Sequence, residues 1–68
     1  MRKFGALREQ IKNVFGTQKA FAEAMGMNAA TINAKLNSKA DWTLKEIEKV
    51  CTLLGIPMEK MREYFFYD

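Results

Sequence analysis

Thr17-Gln-Lys-Ala-Phe-Ala-Glu-Ala-Met-Gly-Met-Asn-Ala-Ala-Thr-Ile-Asn-Ala-Lys-Leu-Asn-Ser38 carries the punctuation of two short helices and the turn between them. Its apolar residues recur at intervals of three and four, the period of a helix and not the alternation of a strand. Thr17 offers a hydroxyl to an unpaired backbone N–H and so caps one helix, whose buried stripe of Phe21, Ala22 and Met25 runs to Gly26. Gly26 suits a left-handed turn. Asn28 has the side chain of a second N-cap, opening a helix through Asn37 with Ile32 and Leu36 facing inward. Two short helices joined at a glycine turn, with the small Ala22 where they touch, form a helix-turn-helix layout, and Gln18 to Asn37 reads as its working unit.

The flanking segments repeat the pattern. A helix is expected from about Lys3 to Val14, with Leu7, Ile11 and Val14 on its inner face, Arg8, Glu9 and Lys12 on its outer face, and Gly16 ending it. After a polar loop, Ser38 to Trp42, the spacing of Thr43 and Glu46 matches a reciprocal capping box. Ile47, Val50, Cys51 and Leu54 then give a fourth helix its apolar face, and Gly55 stops it. Pro57 suits the first turn of a fifth helix, where its missing N–H has no role, with Met61 and Phe65 pointing inward. No repeat or linker interrupts the chain, so one compact, all-α domain of five helices over residues 1–68 is expected.

Composition narrows the function. With 49% apolar and 28% charged residues in 68, the chain has the means to build one modest core. Eleven basic residues against eight acidic ones leave a net charge of +3, which favours an anionic partner. One cysteine makes no internal disulfide, which points to a reducing, cytoplasmic setting with Cys51 in the core. The absence of histidine removes the usual zinc sets and the Ser-His-Asp and Cys-His arrangements. Scattered carboxylates such as Asp41 and Glu46 read as solvated charges, so no enzyme, cofactor, metal or small-molecule substrate is expected. Apolar runs such as Tyr64 to Tyr67 are too short to span a bilayer, and Met-Arg-Lys-Phe-Gly lacks the apolar segment of a signal peptide.

Thr17-Gln18, the Ala22 to Gly26 spacing, Thr31-Ile32, the run Lys35-Leu36-Asn37-Ser38-Lys39, Thr43-Leu44 and Glu46-Ile47 together resemble the lambda-repressor-like family of Cro and C-repressor DNA-binding domains. The likeness covers Leu7 to Phe65 and is greatest to small Cro-like regulators of phages of Gram-positive bacteria. It implies a five-helix domain whose third helix enters the major groove of double-stranded DNA. It further implies a transcription repressor that binds a palindromic operator as a homodimer. In that family a glutamine matching Gln18 bonds a phosphate and braces the third helix, and an asparagine matching Asn37 reaches the DNA backbone.

With Ile32 and Leu36 inward, Ala30, Asn33, Ala34 and Asn37 turn outward and Ala29 lies at the border. The Asn33 amide suits bidentate pairing with adenine, and the methyls of Ala29, Ala30 and Ala34 suit thymine methyls, so an A·T-rich half-site is expected. Relatives carry glutamine or serine where Ala29 and Ala30 stand, which shifts part of the readout to DNA shape. Thr17, Lys19, Asn28, Thr31, Lys35 and Lys39 are candidate phosphate contacts, although capping alone explains Thr17 and Asn28, and solvation explains surface lysines. Lys35 lies beside Ile32 and Leu36, so its stem is expected to cover the core while its charge reaches outward.

Trp42, just before a helix cap, reads as a hydrophobic staple against the fourth helix in preference to a stacking platform for bases. The aromatic tail Tyr64 to Tyr67 fits either a self-complementary dimer contact or one ring in the core with a fraying end. The competing function is a protein-binding module, antirepressor- or antitoxin-like, on the same fold.

Overall fold

Apolar side chains at helical spacing become five α-helices in the computed structural model, which describes residues 4–66. α1 spans Gly5–Phe15, α2 Gln18–Met25, α3 Ala29–Leu36, α4 Leu44–Leu54 and α5 Met61–Phe65. A single 3-10 turn, Met58–Lys60, precedes α5, and no strand occurs among the described residues. The expected helix start at Lys3 and the tail residue Tyr67 lie outside the described residues.

The starts of α2, α3 and α4 follow their caps. Thr17 Oγ1 accepts from the Ala20 N–H at 3.1 Å, and Asn28 Oδ1 accepts from the Ala30 N–H at 2.7 Å. Thr43 and Glu46 form the full box: Thr43 Oγ1 accepts from the Glu46 N–H at 3.2 Å, and the Thr43 N–H donates to Glu46 Oε1 at 2.9 Å. Gly26 ends α2 at φ 72° and Gly55 ends α4 at φ 68°, both left-handed. α3 is followed by a positive-φ residue that is not glycine: Ser38 has φ 61°, and the next N–H, that of Lys39, closes back onto the Ala34 carbonyl at 2.8 Å. Pro57 stands one step outside its expected place. Its extended backbone (φ −62°, ψ 143°) leads into the 3-10 turn, and α5 is reduced to five residues.

α2 packs against α3 and α1, while α4 and α5 close the far side on α1. Leu7, Ile11, Phe21, Ile32, Leu36 and Val50 are wholly buried at the centre. Val14 departs from expectation, being 47% exposed. The inner row of α1 is Leu7, Ile11 and Phe15, spaced four and four, and Phe15 takes the place assigned to Val14 by laying its ring 5.6 Å from that of Phe21. Trp42 joins the core. Its ring meets Phe65 edge-on at 5.5 Å and Phe4 at 6.4 Å, and Phe4 meets Phe65 at 6.3 Å. Of the aromatic tail, Phe65 is buried and Phe66 is 54% exposed.

The largest correction concerns Lys35. Its stem covers the core as expected, yet its charge turns inward, and the residue is only 7% exposed. The ammonium donates to the Asp41 carbonyl at 2.7 Å, pairs with Glu46 Oε1 at 2.9 Å and lies 5.8 Å from the Trp42 ring centre. An ammonium held by these three partners is not available to a phosphate, so Lys35 is withdrawn from the candidate contacts.

For Glu46, burial alone raises the carboxyl pKa, but hydrogen bonds from Thr43 and the Lys35 charge outweigh it and hold the group below its ordinary value. A carboxylate with a depressed folded pKa stabilises the fold above its unfolded pKa and loses that contribution as pH falls through the folded one. Glu46→Gln retains a capping side chain but breaks the ion pair, and is expected to cost about 1.5–3 kcal/mol at pH 7. Urea unfolding at pH 7 and pH 3 checks this: the gap between the two proteins should close at the lower pH, and an unchanged gap contradicts it.

Candidate functional site

α3 has two sides. Ile32, Lys35 and Leu36 are buried, whereas Ala29, Ala30, Thr31 and Asn33 are exposed and Ala34 and Asn37 are half-buried. The outward face derived from the helical wheel is therefore present. It is made of methyls, one hydroxyl and amides, and α3 contains no acidic residue. Thr17, Lys19, Asn28 and Lys39 are exposed, and Gln18 is half-buried at the start of α2. Besides Lys35, already neutralised, the segment from Thr17 to Lys39 carries three charges, Lys19, Glu23 and Lys39. Thr17 and Asn28 spend their side-chain oxygens on capping.

Asn33 and Asn37 are brought together. Asn37 Nδ2 donates to the Asn33 backbone carbonyl at 2.9 Å and to Asn33 Oδ1 at 3.2 Å. Asn37 Oδ1 in turn accepts from Arg8 Nη2 at 2.9 Å, and the same nitrogen donates to the Leu36 carbonyl at 3.0 Å. Asn37, expected at the DNA backbone, is thus engaged within the protein, bridging α1 to the face of α3.

Arg8 is the residue that sequence reading missed. It was assigned to the outer face of α1, but on the wheel it falls beside Ile11 at the edge of the buried stripe, a position from which a long side chain reaches a neighbouring helix. Its charge meets the C-terminal end of α3, where exposed carbonyls favour a cation. The same device holds two other helix ends. Lys49 Nζ donates to the last carbonyl of α2, Met25, at 3.3 Å, and Gln10 Nε2 to that of α4, Leu54, also at 3.3 Å. Both ends of α3 are consequently held, by Asn28 at the start and Arg8 at the finish.

Chemistry elsewhere is sparse. A cleft of about 580 Å³ opens beside the loop after α3, between Phe4, Ser38, Asp41, Trp42, Phe65 and Phe66. Its one titratable lining group, Asp41, has no second acid beside it in the lining. Burial pushes the Cys51 thiol pKa up, away from the reactive thiolate. Among the described residues no three His, Cys, Asp or Glu side chains gather to hold a metal, and no helix is long and apolar enough to cross a membrane. On the exposed face of α3 the Asn33 and Asn37 amides are held in order by Arg8.

A family model described as a protein of unknown function (DUF739) matches residues 2–68. No curated protein matches the chain.

The caps and the surface lysines should separate in stability measurements. Thr17→Ala and Asn28→Ala are each expected to cost about 1 kcal/mol, whereas Lys19→Ala and Lys39→Ala should stay within about 0.5 kcal/mol of the parent. Urea titration of the four variants checks this, and an unaffected Asn28→Ala would remove the anchor assigned to the start of α3.

Proposed function

The chain belongs to the DUF739 family, and since that description assigns no activity, we propose from the site itself that the protein is a sequence-specific double-stranded DNA-binding regulator of transcription, a Cro-like repressor. In this reading α2 and α3 are a helix-turn-helix, α3 lies in the major groove, and a homodimer in the cytoplasm occupies a palindromic operator. The observation that carries it is the outward face of α3: Asn33 among small uncharged side chains, with no acid on the helix and both helix ends anchored.

The physics of groove binding fits these features. A helix of small residues approaches base edges closely, and methyls from Ala29, Ala30 and Ala34 complement thymine while the Asn33 amide complements adenine. Gln18, at the first position of α2, and the exposed Lys19 and Lys39 supply phosphate contacts that set register. With Lys35 turned inward the phosphate-binding charge is small, which makes affinity depend more on close fit. The self-contact of the dimer is assigned to the aromatic end around the exposed Phe66.

The uncharged, methyl-rich centre of the same face supports a second reading, an antirepressor- or antitoxin-like module that docks on a protein. One titration separates the two. Fluorescence anisotropy with random-sequence duplex at several salt concentrations should show binding that weakens as salt rises, with Lys19→Ala and Lys39→Ala each lowering the logarithmic salt slope by about one. On a selected duplex, Asn33→Ala should cost about 1–3 kcal/mol and flatten preference at one base pair. No affinity for any duplex at low salt overturns the DNA reading and leaves the protein-docking one.

A further inference from the structure

An exposed asparagine amide turns over readily about its last bond, exchanging its oxygen for its nitrogen, so by itself it offers donor and acceptor in either order. On α3 that freedom is removed in two steps. Arg8 Nη2 faces Asn37 at 2.9 Å, and because a guanidinium only donates, the Asn37 atom that meets it is the oxygen. The Asn37 NH2 group is thereby turned along the helix towards Asn33, where it donates to the backbone carbonyl at 2.9 Å and to Oδ1 at 3.2 Å. The Asn33 atom that meets this donor is again an oxygen, which leaves its own NH2 group on the opposite side. A second hydrogen bond from the same Arg8 nitrogen to the Leu36 carbonyl, 3.0 Å long, keeps the guanidinium seated at the end of α3.

We propose that Arg8 is a positioning residue for base discrimination: through Asn37 it sets the order in which Asn33 presents its donor and its acceptor to DNA. The inference rests on the DNA-binding reading of the α3 face. Adenine shows an acceptor, N7, and a donor, the N6 amino group, side by side on its major-groove edge, and their order along the groove reverses when A·T becomes T·A. An amide of fixed order matches one of these two pairs. An amide free to turn over matches both. Arg8 is half-buried at the junction of α1 and α3, with its guanidinium turned to Asn37 and the Leu36 carbonyl, so its effect on sequence preference is carried by the two asparagines and not by a contact of its own.

The test compares the parent with Arg8→Ala, Arg8→Lys and Asn37→Asp on one probe set: the duplex that the parent enriches best from a random pool, and every single-base-pair variant of it. The position read by Asn33 is the one at which Asn33→Ala loses preference. There Arg8→Ala is expected to reduce the A·T over T·A ratio by roughly five-fold or more, with the ranking at other positions retained. Arg8→Lys, which still offers a cationic donor to Asn37 Oδ1, retains the greater part of the ratio and guards against loss of fold. Asn37→Asp accepts from Arg8 but has no N–H for Asn33, so the Asn33 amide turns over and the preferred pair at that position is reversed. A uniform loss of affinity, with the Asn33 position ranked as in the parent in both Arg8→Ala and Asn37→Asp, overturns the inference while leaving the DNA reading intact. A parent protein that enriches no duplex overturns the DNA reading itself, before any variant is compared.

Discussion

A lysine ammonium held away from water organises the middle of this domain. Lys35 leaves α3 on its buried side, and everything its charge needs comes from the next few residues of chain: the Asp41 carbonyl, the Glu46 carboxylate and the face of Trp42. Removing any of these partners leaves a buried charge less compensated, so the connector between α3 and α4 has little freedom in where it runs. Glu46 serves the ammonium and the cap of α4 with the same oxygen. Trp42, held beneath the charge, offers edge-on contacts to Phe4 and Phe65. One ion pair therefore links the direction of α3, the start of α4 and the packing of residues near both ends of the described chain.

Helices of eight residues do not persist alone in water, and α2 and α3 are both of that length. Their order comes from partners. The last carbonyls of α2, α3 and α4 each accept a hydrogen bond from a long side chain on another helix, Lys49, Arg8 and Gln10 respectively. Such bonds satisfy backbone groups that helix geometry leaves unpaired, and they tie neighbouring helices at their ends, where apolar packing is thinnest. For α3 this means that the outward side chains are presented on a rod fixed at both ends. A site with few charges and small side chains gains most from this, because less of its binding energy is lost to ordering the protein.

The features legible in the sequence are local ones. Thr17, Asn28 and the Thr43 and Glu46 pair act within three residues of themselves, and Gly26 and Gly55 mark turns that favour a residue without Cβ. The exposed and buried sides of α3 followed from helical period alone. What escaped depends on other helices. Val14 and Phe15 both border the stripe of α1, and the position of Phe21 chooses between them. The inward turn of Lys35 requires knowing where the loop from Ser38 to Trp42 returns. Arg8 meets Asn37 across 29 positions of chain, and no spacing rule reaches that far. Ser38 takes a left-handed conformation that composition does not announce.

The claim that α3 presents its Asn33 face to duplex DNA is tested most directly by following every backbone amide by NMR while duplex is added. Shifts are expected to concentrate on the start of α2, on Ala29 to Asn33 and around Lys39. Resonances of α4 and of the Trp42, Phe4 and Phe65 cluster should barely move. Shifts confined to that aromatic cluster and α5, or none at low salt, would contradict it.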